Sequence, residues 1–233
     1  MKIGFRTTLI VVLWVLNSFA NMASAGLITN TYVSDQYLSI PRDPGPGASP
    51  EERTSGPASE FPTSIDIAGL DGIVTDVNVK LVGLTHTYPE DLNIGLVNPA
   101  GVGVYLMGDT GSYFSIQLVN ITFDDQASAV FEEFSPITSG TYQVSPFGFD
   151  HYAIPATFGL TLDAFNGTTA NGLWSLYVYD NLGADVGSLQ GWEITVTTSD
   201  VPEPGSLVLF AIGLIGFVLR KNQFSTTTLA NCP

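Results

Sequence analysis

Between Ile73 and Leu84 the chain reads IVTDVNVKLVGL, and this alternation limits its possible folds more than any other feature. Val77, Val79 and Leu81 fall on one side of an extended backbone, and Asp76, Asn78 and Lys80 on the other, because successive strand side chains point to opposite faces. A helix would scatter both sets around its circumference. The same period of two returns in TSIDIAG, and in DLNIGLV with Leu92, Ile94 and Leu96 as its apolar set. VGVYLM, FSIQLVNITF, LWSLYVYD and LQGWEITVTT continue the series. Short strands are also expected at LITNTY and QYLSI, and Asn98-Pro99-Ala100-Gly101 is a turn signal. Between the two chain ends no segment keeps helical periodicity for more than a turn or two. The expected fold class is therefore all-β, an antiparallel β-sandwich or jelly roll, with no internal repeat.

The single cysteine, Cys232, lies near the C-terminus. Residues 26–200 thus have no internal disulfide and depend on a hydrophobic core, for which about 140 patterned residues suffice. One domain over 26–200 is expected. Residues 41–62 interrupt it: they hold six of the 14 prolines, with Gly, Ser and Glu, and read as a long flexible loop inserted between paired strands. From Gly26 to Val201, three basic residues (Arg42, Arg53, Lys80) stand against 21 acidic ones, a net charge of −18. A body of that sign repels phosphate backbones, which argues against a nucleic-acid partner. It keeps an extracellular protein soluble and leaves cations, basic surfaces and neutral sugars as ligands.

The two ends carry targeting signals. Lys2 and Arg6 precede the apolar run TLIVVLWVL, and Ala23-Ser24-Ala25 is a small-residue cleavage site, so residues 1–25 read as a signal peptide cut between Ala25 and Gly26. At the other end, Pro202-Glu203-Pro204 ends any strand. An unbroken apolar stretch from Gly205 to Leu219 follows, and then the basic pair Arg220-Lys221. Fifteen helical residues reach about 22 Å, against a hydrocarbon core of about 30 Å, which makes a short C-terminal transmembrane helix with its basic end in the cytoplasm. Val-Pro-Glu-Pro, a short Gly-containing apolar helix and a basic pair resemble the PEP-CTERM sorting signal. The resemblance implies export by a Gram-negative bacterium that makes extracellular polysaccharide, and processing near the motif by the membrane protease-transpeptidase exosortase. Residues 222–233 trail beyond the basic pair, where such signals usually stop.

Two blocks go beyond generic strands: LTHTYPEDLNIGLVNPAGVGVYLM (84–107) and NGLWSLYVYDNLGADVGSLQGWEITV (171–196). Together they resemble the P domain (P/Homo B domain) of kexin-like and other subtilisin-family proteases. The matching positions include His86, Asp91, Leu92, Pro99, Gly101, Trp174, Asp180, Asp185, Gly187 and Trp192, and the resemblance covers about Ile65 to Thr197. Trp174 and Trp192 are expected to pair across neighbouring strands joined by the turn at 181–188. Asp180 and Asp185 bracket Asn181-Leu182-Gly183-Ala184 and are expected to accept turn amides. The competing reading is a calcium site, to which Asp91, Asp109 and Asp150 would contribute only if the fold gathers them.

No catalytic centre is visible. A serine triad needs an activated serine beside a histidine, and neither a G-x-S-x-G elbow nor a subtilisin-type serine block is present. His86 reads as a strand-end residue bonded to backbone. The neighbouring acids Asp124-Asp125 and Glu132-Glu133 point to opposite faces and cannot form a glycosidase dyad alone; they read as solvated loops. The sequons at Asn120 and Asn166 are assigned no role. The expectation is an exported, non-enzymatic surface module for binding, adhesion or matrix assembly, with extracellular polysaccharide or surface proteins as partners. The alternative is an accessory module of a subtilisin-like protease carried by another polypeptide. A cryptic hydrolase would require a cleft that gathers at least two carboxylates.

Overall fold

The computed structural model describes residues 26–42, 55–148, 154 and 156–199. The expected signal peptide up to Ala25, the motif Pro202-Glu203-Pro204, the apolar stretch expected to be helical with Arg220 and Lys221, the tail 222–233, residues 43–54 and Asp150 lie outside them. Among the described residues there is no α-helix, only 3-10 turns at Pro89–Asp91 and Leu162–Phe165, and nothing long and apolar enough to cross a membrane.

The long alternating stretch forms β5 (Ile73–His86), the spine of the first sheet. β5 is flanked on one side by β14 (Gly191–Ser199), which pairs in turn with β1 (Leu27–Ser34). On its other side runs β8 (Ile116–Phe123), which pairs with β9 (Gly140–Tyr142). Near His86, β13 (Gly187–Leu189) takes over from β14 and carries β2 (Leu38–Ile40) on its far edge. The second sheet is built on β12 (Gly172–Asp180) and β6 (Leu92–Val97). β7 (Val102–Gly108) extends it on the β6 side, while β3 (Gly56–Pro57) and β4 (Thr63–Ile67) pair with the two halves of β12.

Inward residues of both sheets form one core: Val77, Val79 and Leu81 from β5, Ile94 and Leu96 from β6, Leu176 and Val178 from β12, and Ile194 and Val196 from β14. Each of these is essentially sealed from solvent, and this burial is the main favourable term in a chain without a disulfide here. The alternation of β5 breaks twice, between Val74 and Val77, where its register with β14 shifts, and at Gly83. Its φ of +62° and its amide, which donates to the Asn120 side chain at 2.9 Å, mark a bulge in the pairing with β8. After it the inward set continues as Leu84 and His86, so a histidine points into the core at the strand end.

Four expectations need correction. Trp174 and Trp192 are not neighbours in one ladder: β12 and β14 belong to different sheets, because residues 181–186 cross between them. Each ring is fully buried from its own sheet. Trp174 donates from Nε1 to the Ala170 carbonyl at 2.8 Å and meets Phe165 edge-on at 5.1 Å. β6 is buried on both faces instead of alternating, since Ile154 packs over Gly95 on the outer side. The sheets are not wholly antiparallel: β9 runs parallel to β8, and both β10 (Ser145–Pro146) and β11 (Thr157–Gly159) run parallel to β7. The loose run expected to reach residue 62 ends earlier. Pro57 and Ala58 bond to the backbone of Arg42 and Val178, and Phe61 packs edge-on against Tyr177 and Tyr179.

Candidate functional site

At one end of the sandwich three elements bring acidic side chains together. β5 ends at His86, β12 ends at Asp180, and the turn Pro89–Asp91 lies between them before β6. His86 and Asp180 are each 0% exposed, and His86 Nε2 lies 3.4 Å from Asp180 Oδ2. The other ring nitrogen, Nδ1, lies 2.9 Å from the Tyr88 carbonyl oxygen and 3.3 Å from the Tyr88 amide. The Nε2–Oδ2 contact joins the two sheets across the core.

The Leu182 amide, in the turn that follows, favours the charged form of the Asp180 carboxylate, although neither carboxylate oxygen has a partner of strict hydrogen-bond geometry. Burial therefore raises its carboxyl above the usual range, opposed by His86. Asp91 sits above this pair. Burial first, and then the charges of Asp180 and Asp185, push its carboxyl up from 3.8 to about 6, with His86 pulling the other way. Asp185 lies at the rim, where its Oδ1 accepts the Thr87 hydroxyl at 2.8 Å. Gly187, on β13, lies against the Thr85 carbonyl and the His86 ring so closely that no side chain fits.

Asp91 is the link between this buried cluster and solvent. It lines a cleft of about 300 Å³ together with Tyr88, Glu90, Asp109, Asn181 and Leu182. The fold thus gathers Asp91, Asp109, Asp180 and Asp185 at one end, as the calcium reading required. Yet among the described residues no group of three or more His, Cys, Asp or Glu is placed to hold a metal ion. The calcium reading is not supported by this donor set. Asp180 faces His86 within the core, and of the family positions only Asp91 lines the cleft.

The sequence reading missed Glu90 and Tyr88 as cleft residues. The signal was present, since both stand within the turn that ends in Asp91, but nothing local says that the 181–182 turn closes the other wall. Asp124-Asp125 does lie in a loop at the surface, where Asp125 accepts the Asp163 amide at 2.8 Å; burial, followed by the charges of Asp124, Asp125 and Asp163, raises the Asp76 carboxyl. Glu132 does remain local, accepting the Ser135 hydroxyl at 2.9 Å.

Comparison with known proteins places this geometry. The family model of the proprotein convertase P-domain matches residues 74–196, more than half of the chain, from the second residue of β5 to Val196 in β14. The chain belongs to the proprotein convertase P-domain family. A second model, the PEP-CTERM protein-sorting motif, matches residues 200–222, directly after the P domain. Such a tail marks an exported protein, and exosortase recognises motifs of this kind. Comparison with curated proteins gives no match. Two crystal structures of the Aeromonas sobria serine protease share 18% identity with the chain, one in complex with the chaperone ORF2 and one alone. They cover 80% of this chain and 29% and 30% of their own, with TM-scores of 0.35 and 0.34. The chain spans less than a third of the length of those proteases.

Proposed function

We propose that this P domain is a non-enzymatic binding module, delivered to the envelope of a Gram-negative cell and held by its C-terminal apolar helix or released at the surface. In this reading residues 26–200 are the working part and residues 201–221 the sorting signal. The observation that carries it is the cleft of about 300 Å³, in which a tyrosine stands beside Glu90, Asp91 and Asp109. Carboxylates accept sugar hydroxyls and a tyrosine ring covers the flat face of a pyranose, so extracellular polysaccharide is the ligand class proposed. Among the described residues the one His–Asp contact has no exposed side-chain atom for a substrate to reach, which supports binding over triad-type hydrolysis.

Titration of the purified full chain with the extracellular polysaccharide of its host tests this. Binding should weaken about tenfold in Tyr88→Ala and in Glu90→Gln. Absence of binding by the unsubstituted chain would overturn the reading, and release of reducing ends would turn it into a hydrolase. The alternative, an accessory role to a subtilisin-like protease on another polypeptide, rests on the family itself. It predicts co-purification with such a protease and a shorter lifetime of that protease when this chain is deleted.

A further inference from the structure

β1 lies at the outer edge of its sheet, with β14 as its one neighbour among the described residues. An edge strand offers a row of backbone N–H and C=O groups to any strand that can approach, and proteins blunt such edges with lysine, proline, a bulge or a covering loop. Among the described residues β1 has none of these. Its sequence, LITNTYVS, contains no charge and no proline, and its register against β14 runs unbroken from Leu27↔Ser199 to Ser34↔Trp192. Leu27 is 71% exposed, Val33 57% and Ile28 37%. On a body with a net charge of −18 this is an uncharged apolar strip.

The strand also matches itself. Outward from Asn30 in both directions come a threonine (Thr29, Thr31), a large apolar residue (Ile28, Tyr32) and a second aliphatic one (Leu27, Val33). Members of each pair are an even number of residues apart and so share a face of the sheet. A two-fold axis perpendicular to the sheet preserves faces and reverses strand direction, so it sets each residue of such a pair opposite its counterpart. We infer that a second copy of this chain docks on β1, edge to edge and antiparallel, about a two-fold axis at Asn30.

In that register Leu27 and Val33, both exposed in the single chain, cover each other twice. Ile28 meets Tyr32 on the face where Tyr32 already packs against the core. The hydroxyl pairs Thr29–Thr197 and Thr31–Thr195, at 2.9 and 2.8 Å, continue across the axis as a row of threonines on the outer face. No carboxylate of either β1 is brought to the seam, which lets two strongly acidic bodies approach. Such an isologous edge contact closes on itself as a dimer. A single strand edge is a small interface, so the dimer is expected to be weak. Because Ser199 lies opposite Leu27, the C-terminal ends of the two β14 strands fall at opposite ends of the joined sheet. The inference does not depend on the cleft or its ligand.

The test is sedimentation equilibrium of the purified full chain in detergent, in a Cys232→Ser background, with Leu27→Glu, Val33→Lys and the double variant. The parent should dimerise, and each single change should raise the dissociation constant roughly tenfold, since each mismatch occurs twice. The double variant should recover, because the introduced opposite charges face each other only in this register. Asn30→Cys should cross-link copies through a disulfide on mild oxidation, and Tyr113→Cys, on an exposed loop, should not. Both substituted β1 side chains are exposed, and unchanged tryptophan fluorescence confirms that the fold is kept. A monomeric parent, a dimer indifferent to both single changes, or a double variant no better than the singles would each overturn the inference.

Discussion

Replacing Asp91 by asparagine should stabilise the protein at neutral pH and leave it unchanged in mild acid. The folded chain holds the Asp91 proton up to about 6, against 3.8 for an exposed carboxyl. Below pH 4 both states carry the proton. Between pH 4 and 6 only the folded state does, so protons favour folding there, and this contribution is lost as pH rises through about 6. At about 1.4 kcal/mol per pH unit the full loss is about 3 kcal/mol. Asp91 is 4% exposed as a residue, but its carboxylate opens onto a wet cleft. Screening reduces the loss to about 1.5 kcal/mol or somewhat more. Asp180 is its strongest electrostatic neighbour, so the measured difference belongs to the pair. Urea denaturation, followed by the buried Trp174 and Trp192, should show Asp91→Asn and parent coinciding at pH 4 and separating by about 1.5 to 3 kcal/mol at pH 7.5. Parallel stability curves across that range would refute the account of the cluster.

Three further outcomes follow from the packing. Gly187→Ala would drive a methyl into the Thr85 carbonyl and the His86 ring, separating β13 from β5 at a cost of about 1–3 kcal/mol, read as a lower urea midpoint. Trp174→Phe removes the donor to the Ala170 carbonyl as well as ring area, and should cost about 1–3 kcal/mol in the same assay, with the edge-on Phe165 contact weakened. Calcium or a chelator should leave the thermal midpoint in place, since a ligand that binds the native state must shift it.

How much of this was legible depended on the range of the cause. The inward set Val77, Val79 and Leu81 follows from a local period of two, and β5 realises it over fourteen residues. The break at Gly83 was not legible, because its cause is an asparagine 37 residues away. β6 looked half-exposed because its own six residues cannot say that Ile154 covers Gly95. The tryptophans were assigned to one ladder because a turn normally joins paired strands, whereas residues 181–186 change sheets. At the site, Asp91 and Asp180 were singled out as positions, but their coupling through His86 is a product of both sheets meeting at one end. The Asp76 cluster was missed for the same reason: Asp124, Asp125 and Asp163 reach it from two separate loops.

The pairing of Leu27 with Ser199 also decides how the P domain would carry a mechanical load. Tension entering through the sorting tail reaches the sandwich at the end of β14 and runs along that strand. β14 is clamped lengthwise between β1 and β5. If the far end near His86 and Asp91 is held by a ligand, the pull is parallel to the strands, and the rungs on both sides of β14 resist together instead of opening one after another. Pulled instead from residue 26 against the tail, the same two strands would part from one end like a zipper. A module fastened by its tail and gripped at its cleft is thus loaded in its strong direction.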